Sequence, residues 1–595
     1  MKSTIPLTDV LWRRAQEQPT ATAYRFLADG TPATAVDHTY RDVADRAAVV
    51  AAELDGAAGR RVVLAVDPGL DYVAALYGVL AAGATAVPSF PPVGRRATAR
   101  FLGILADCAP SAVLLSSWAA QRVAELADRL PPALRGVRWL TVDEEFFARH
   151  ADPPRYRPRA ADPALLQYTS GSTGDPKGIV LDHDNLVANC VALQHHMGVD
   201  PGRVGLSWLP PYHDMGLMGT IMLALHGGWP LIMFSPVHFV QRPARWLRAI
   251  GEYGVTISVA PNFAFDMCVD SVDEDDLDGL DLGSLRQLYC GAEPVLATTM
   301  KRFTERFAPY GYRPEALIPC YGLAEATLFV AGKPDGTSMR TLRVDRAALE
   351  RGRVRPAGAH DPAAAAAELV SCGAVAHGHE VLIVDPDTRR PVPPGTVGEI
   401  WVRGPSVARG YHGRPDLSAE LFAARPAADG ADAPADGAPS DRTYLRTGDA
   451  GFVDGGELYV TGRLKDVVIV AGRNLYPQDI EVSVLAARPE LRRAAAFAVR
   501  PRGRAEELVV VAELRDARAR ANRELAELRD AVVAAVAADH AVRPAEVHLG
   551  PPGTVPTTTS GKVRRSAARE AFEKGELRTL PVAGDVLAAA RGVPA

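Results

Sequence analysis

An α/β fold, with a large N-terminal domain of mixed sheets covered by helices and a small C-terminal α+β domain, is what this sequence predicts, on three observations. The chain has 595 residues with 47% hydrophobic content, enough to bury more than one core and too much for one compact unit. Through the first 330 residues, short β-rich runs alternate with amphipathic helical stretches, as in a sheet covered on both faces. After Asp454-Gly455-Gly456 a different mixture of strands and charged helices follows, which sets a boundary near Lys465 and divides the chain into 1–464 and 465–595.

Taken in order, RVVLAV at 61–66 reads as a strand, Asp67-Pro68-Gly69 as a turn, and 71–82 as a helix closed by Gly83. The same order returns at Ala164 to Tyr168 (strand), Thr169 to Gly178 (a loop of glycine and hydroxyl residues), Ile179 to Leu181 (strand) and Asn185 onward (helix). The Ala, Asp, Gly and Pro run at 423–441 is too poor in large apolar residues to pack and reads as a disordered surface insertion. Asp454-Gly455-Gly456 is a hairpin turn between strands at 457–461 and before it, Val467 to Ala471 is a further strand, and 523–538 a charged helix. A loop of small hydroxyl residues around Lys562 closes the pattern.

Composition excludes several classes. Charge is balanced, with 66 basic and 71 acidic residues and a net −5, so nothing points to nucleic acid. No stretch reaches the roughly 18 apolar residues of a membrane span, and the N-terminus lacks a signal peptide's apolar run, so a cytoplasmic location is expected. The six cysteines are scattered, without CxxC pairs or histidines at metal-ligand spacing, and read as buried free thiols. Ser284, in a Gly-Leu-Asp-Leu-Gly-Ser-Leu run that imitates a phosphopantetheine attachment site, follows glycine between α/β elements and gets no carrier role.

Tyr168 to Gly178 (YTSGSTGDPKG) offers unobstructed backbone N–H groups, hydroxyls and one cation, which suit a polyphosphate. It is not a Walker A loop, since Lys177 follows Gly174-Asp175-Pro176 and no hydroxyl residue follows it. By composition alone, a flexible surface loop fits equally well.

Seven further motifs stand in a fixed order after it: SWLPPYHDMG (207–216), GAEP (291–294), YGLAEAT (321–327), GEIWVRGPSVARGY (398–411), YLRTGD (444–449), YVTGRLKD (459–466) and TTSGKVRR (558–565). The set resembles the adenylate-forming enzymes, namely acyl-CoA synthetases, amino-acid adenylation domains and luciferases, over nearly the whole chain. Within them VPSFPP (87–92), QYTSGSTGDPKG (167–178) and GRNLYPQDIE (472–481) look most like the fatty acyl-AMP ligases. The stretch between Leu328 and Cys372 looks like the region of their insertion, placed within 330–372. In that family the insertion limits rotation of a mobile small domain toward a coenzyme A-binding state, which implies a carrier-protein acceptor.

The resemblance implies ATP and Mg2+ as cofactors, a fatty acid as substrate and a separate acyl carrier protein as partner, in lipid, polyketide or nonribosomal peptide synthesis, with the chain itself a monomer. It implies that Thr169, Ser170, Gly171, Ser172, Thr173, Gly174 and Lys177 hold ATP phosphates, that Tyr321 with Gly322 stacks on adenine, and that Gly291, Ala292 and Glu293 lie against the nucleotide. Asp449 matches the ribose ligand, Arg463 its nearby arginine, Glu325 the Mg2+ ligand and Lys465 the hinge. Lys562 and His213 are the catalytic candidates, and Trp208, Met215 and Gly216 would border the acyl pocket. A lysine in a Ser-Gly-Lys loop is by itself an ordinary surface residue, and only its company suggests chemistry. Three other readings stay open: an acyl-CoA synthetase, which shares every motif; an amino-acid adenylating enzyme, for which no carboxylate stands ready to pair with an ammonium; and a noncatalytic acyl or nucleotide-binding module, which would lack Lys562, Glu325 or Asp449.

Overall fold

The computed structural model describes residues 5–580 apart from 93, 126–133, 135, 155, 169–175, 359, 363–364, 428–441, 471–472, 501–505, 517–521 and 559–561. Two large sheets form its body. One runs in the order Gly410–Tyr411, Gly178–Asp182, Pro163–Tyr168, Thr85–Pro88, Arg61–Ala65, Ala112–Leu115, Arg138–Thr141, parallel from Pro163–Tyr168 outward. In the other, Leu317–Gly322, Gln287–Cys290, Ile257–Ala260, Gly205–Ser207, Leu231–Phe234 and Thr22–Leu27 are mutually parallel neighbours with antiparallel strands at both edges. Parallel strands send their C-terminal loops to one edge, where α/β proteins bind ligands.

Helices fill the space between and around the sheets. Leu70–Ala81 is buried at every position but Asp71, which its apolar character almost all the way round requires. It presses on Tyr40–Glu53 so closely that a Cβ at Gly78 would stand 2.4 Å from Val50. Thr39 and Asp42 form a reciprocal capping box on that second helix, and Asp182 and Asn185 do so on His183–Met197, satisfying N–H groups that would otherwise be orphaned.

A four-stranded antiparallel sheet follows, with Glu380–Val384, Gly398–Arg403, Leu445–Asp454 and Glu457–Arg463 in that order. Its last hairpin turns on Gly455 and Gly456, both at positive φ (57° and 81°), as a two-residue primed turn demands. After the 3-10 turn Leu464–Asp466 the chain builds the hairpin Val468–Val470 with Arg473–Leu475, then Pro477–Ala487, a three-stranded sheet, and the helices Asn522–His540 and Arg565–Glu573. These share their own core around Ile480, Val484, Val510 and Val532.

Between Leu328 and Cys372, the strands Thr341–Asp345 and Ala366–Val370 pair antiparallel around the short helix Arg346–Leu349. Val344 and Leu349 pack against Tyr476 of the C-terminal part, and Glu350, 4% exposed, takes Arg473 at 2.6 Å. The run expected to be a disordered insertion, 423–441, is ordered at its start. Ala424 exchanges backbone hydrogen bonds with Tyr444 at 3.1 and 2.8 Å and is buried beside Val384, Trp401 and Tyr444, where only a small side chain is needed to complete the packing; residues 428–441 of that run lie outside the described residues. All six cysteines are free, five of them buried, and the Ser284 hydroxyl donates to the Val255 carbonyl inside the fold. Among the described residues no helix is long and apolar enough to cross a membrane.

Candidate active site

The C-terminal end of the strand Leu317–Gly322 opens into a turn with no room for side chains. A Cβ at Gly322 would stand 1.8 Å from the Leu328 carbonyl oxygen, and Thr327 sits at φ 68°, ψ −62°, a conformation costing about 1–3 kcal/mol for a non-glycine residue. Thr327 is fully buried and its hydroxyl donates to the Ser406 carbonyl at 2.7 Å, which helps hold the strain. The turn places Tyr321 and Glu325 on the wall of one cavity.

Tyr321 donates its hydroxyl to Asp449 Oδ2 at 2.7 Å. Asp449 faces Arg463 across the Leu445–Asp454 hairpin, with Arg463 Nε 3.4 Å from Oδ1. Burial raises the Asp449 carboxyl above its usual range, against the pull of Arg463. Glu399, 2% exposed, supports the loop from behind: it accepts from Trp401 Nε1 (2.9 Å) and the Gly448 N–H (3.2 Å), and pairs with Arg446 at 2.9 Å.

Glu325 Oε1 accepts the Tyr411 hydroxyl at 2.9 Å, and burial raises its carboxyl too. The Tyr411 ring lies 5.7 Å from Lys177 Nζ, within cation–π reach. The rest of the glycine loop assignment, Thr169, Ser170, Gly171, Ser172, Thr173 and Gly174, lies outside the described residues.

The strand Gln287–Cys290 leads into Gly291, where a Cβ would meet Cys320 Sγ at 2.8 Å, and Ala292, at φ 70°. Glu293 Oε1 then accepts the Phe263 N–H at 2.7 Å, near the start of the helix Asn262–Ser271. Burial pushes Glu293 up to about 7, although Phe263 and Lys562 both favour its charge.

His213 Nδ1 is 2.6 Å from Asp214 Oδ1. Burial opposes the Asp214 charge, yet His213 and Lys562 outweigh it and hold the carboxyl at about 2. Lys562 stands at the end of a small hairpin, with Thr558 N–H donating to its carbonyl at 2.8 Å. Burial depresses its ammonium, and Asp214, Glu293 and Asp449 attract it from three elements of the large domain.

One cavity of about 1450 Å³ collects Lys177, His213, Met215, Ala292, Glu293, Tyr321, Gly322, Glu325, Asp449, Arg463, Lys465 and Lys562. Three expected residues stay out of its lining. Gly291 packs on Cys320, a Cβ at Gly216 would strike the Pro210 carbonyl at 2.3 Å, and Trp208 stacks on Phe239 at 3.8 Å in an aromatic cluster behind the wall. The apolar lining comes instead from Leu193, Met197, Leu206, Leu223, Trp229, Leu231, Val259 and Phe329. Sequence reasoning also passed over Asp214, Tyr411, Glu399 and Arg446, although each stands in a quoted motif; an acid between apolar residues, as in Gly398-Glu399-Ile400-Trp401, was the available signal.

Comparison with known proteins agrees with this arrangement. The AMP-binding enzyme family matches residues 11–412. The chain is 39% identical to the long-chain-fatty-acid–AMP ligase FadD26 of Mycobacterium marinum, covering 97% of this chain and 100% of that one. It is 36% identical to the medium-chain-fatty-acid–[acyl-carrier-protein] ligase JamA of Moorena producens, covering 96% and 95%. Among solved structures, the fatty acyl-adenylate ligase of L. pneumophila in complex with acyl adenylate and pyrophosphate superimposes with a TM-score of 0.71 at 35% identity, covering 96% of each chain. A structure from work on the E. coli and L. pneumophila fatty acyl-adenylate ligases reaches 0.83 at 31%, covering 96% and 98%. Likeness along almost the full length, with the motif residues gathered round one cavity, makes this chain a member of the AMP-binding enzyme family, on its fatty acyl-AMP ligase branch.

Proposed function

We propose that this enzyme activates a fatty acid with ATP to acyl-AMP and pyrophosphate, and then passes the acyl group to the phosphopantetheine thiol of a separate acyl carrier protein serving lipid, polyketide or nonribosomal peptide synthesis. The observation that carries the reading is the cavity in which Lys562, the carboxylates of Asp214, Glu293, Glu325 and Asp449, and Tyr321 meet an apolar lining.

In the first step a carboxylate oxygen attacks the α-phosphorus and the bond to the β-phosphate oxygen breaks. Negative charge spreads over the phosphorus oxygens, and Lys562 stabilises it in a site where low dielectric strengthens the contact. Asp449 accepts from the ribose hydroxyls, held in place by Tyr321 and Arg463, while the Tyr321 ring offers the adenine a face. Asp214 accepts from His213 Nδ1, and the imidazole in its doubly protonated form would donate Nε2–H to the substrate carboxylate.

Mg2+ fits the donors present. Glu325 offers one carboxylate oxygen beside the one engaged by Tyr411, and among the described residues no cluster of three metal-binding side chains exists. That pattern suits an ion which binds few protein ligands and keeps phosphate oxygens and waters. Bound there, it would neutralise charge on the leaving phosphates.

The acceptor reading draws support from JamA, whose name records an acyl-carrier-protein ligase, and from Glu350 and Arg473, which tie the 330–372 region to the C-terminal domain. Incubation with ATP, Mg2+ and a panel of fatty acids, with coenzyme A or a carrier protein bearing its pantetheine arm, tests both halves. Acyl-AMP that persists with coenzyme A and discharges onto the carrier is the expected result. Efficient acyl-CoA formation would make the chain a synthetase, and no acyl-AMP from any acid would overturn the reading.

A further inference from the structure

Arg100 and Arg564 line the same cavity from different domains. Arg100 belongs to the helix Gly94–Cys108 and lies 5.3 Å from the Phe90 ring centroid. Arg564 is two residues past Lys562, its backbone N–H fixed to the Pro556 carbonyl at 2.8 Å. Both line the cavity, and Arg564 Nε is buried without a hydrogen-bond partner. Burial and the charge of Arg564 both disfavour the Arg100 cation.

The neighbouring arginines show how unusual this is. Arg565 holds Glu481 at 2.6 Å and Arg463 holds Asp449 at 3.4 Å. Among the described residues neither Arg100 nor Arg564 holds a carboxylate at hydrogen-bond or ion-pair distance; Glu570, whose charge Arg564 favours, is exposed and pairs with Lys574 at 2.6 Å. Two guanidiniums near enough to act on each other in a partly dry cleft repel, so the arrangement that delivers Lys562 also builds an unfavourable pair unless an anion lies between. A chain of phosphates is the anion that guanidinium forks match best, and the wall beside Arg100 includes Tyr168 and Lys177, the two ends of the glycine-rich segment.

We propose that Arg100 and Arg564 clamp the β- and γ-phosphates of ATP from the two domains, so that the polyphosphate favours closure and its departure as pyrophosphate leaves a like-charge pair that favours opening. This inference rests on the adenylation reading above and assigns the leaving group to two residues outside the site already described.

Calorimetry on the full chain with Mg2+ tests it, using inorganic pyrophosphate, ATP and a non-hydrolysable acyl-adenylate analogue that lacks the β- and γ-phosphates. Arg100→Gln and Arg564→Gln should each weaken pyrophosphate and ATP about tenfold or more, as loss of a charged hydrogen bond does, while the analogue stays within about twofold. Arg564→Lys, which keeps charge and fold, should recover part of the loss. Pyrophosphate affinity unchanged in both glutamine variants, or analogue and ATP weakened equally, would overturn the clamp. Failure of the adenylation reading shows separately, as wild-type protein that binds pyrophosphate yet makes no acyl-AMP.

Discussion

Tyr321 does two jobs that one substitution separates: its ring faces the cavity and its hydroxyl fixes Asp449. Tyr321→Phe keeps the ring and removes one hydrogen bond to a buried carboxylate, worth about 1.5–3 kcal/mol. The Michaelis constant for ATP should therefore rise roughly 10- to 100-fold by steady-state kinetics, with the fatty acid constant unmoved. Glu293 yields a pH prediction for the free protein. Its folded-state value near 7 stands above the ordinary 4.5, so folding holds its proton more tightly, and the stability this adds is complete below about 4.5 and lost as pH rises through about 7. Glu293→Gln keeps the acceptor for Phe263 and removes that loss, so its melting temperature should exceed the wild type's at pH 8 and converge on it near pH 4.5. Asp266 and Asp479, both raised to about 6 by burial, tilt the wild-type curve the same way, which makes the difference between the two proteins the proper measure. At this scale the motif residues were legible because each is a chemical type in a fixed string. Thr327 and Ala292 at positive φ were not, since strain in a non-glycine residue leaves no mark in sequence.

Among the elements, the strands and hairpins were the most legible, because alternation and a Gly-Gly turn follow from pleat geometry alone. The stretch after Met215 was less so. Leu217–Met222 forms a π-helical segment, which no periodicity announces and which brings Gly219 and Thr220 to the cavity. Compositional reading failed at Ala424 for a different reason, treating small residues as unable to pack when this one is buried beside Trp401 and Tyr444 and bonded to the Tyr444 backbone. The 330–372 region carries the most direct element-scale test. Arg473 donates to Glu350 at 2.8 and 2.6 Å and the Asn474 N–H donates to the Glu350 carbonyl at 2.8 Å, so the region grips the first hairpin of the C-terminal domain. Glu350→Ala leaves that backbone bond and the arginine's bonds to the His540 and Ala541 carbonyls, and removes one charged, half-buried pair, a change costing about 1.5–3 kcal/mol. Hydrogen exchange should show lost protection over 468–475 with the three-stranded sheet around Val510 unaffected; an unchanged hairpin would mean that the apolar contact of Leu349 with Tyr476 holds it alone.

At the scale of the molecule, the two domains meet through charged pairs, Arg515 with Asp270 at 3.3 Å and Arg473 with Glu350 among them, and through the apolar cluster of Val344, Leu349 and Tyr476. The turn Leu464–Asp466, with Lys465 as the proposed pivot, joins the domains beside the cavity. Lys562 is drawn to Asp214, Glu293 and Asp449 in the arrangement seen here, and under the proposed function a carrier's thiol would approach the acyl carbon where that hairpin now stands. One lysine should consequently matter to one half-reaction. Lys562→Ala should slow pyrophosphate release about a hundredfold or more, the usual loss when a preorganised electrostatic contact is removed from a developing charge. Supplied with ready-made acyl-AMP, the same variant should transfer the acyl group to the carrier at a rate within about twofold of wild type, because the residue has swung away by then. A parallel collapse of both rates would mean that a single arrangement serves both steps and that the turn at Lys465 is a linker, not a pivot.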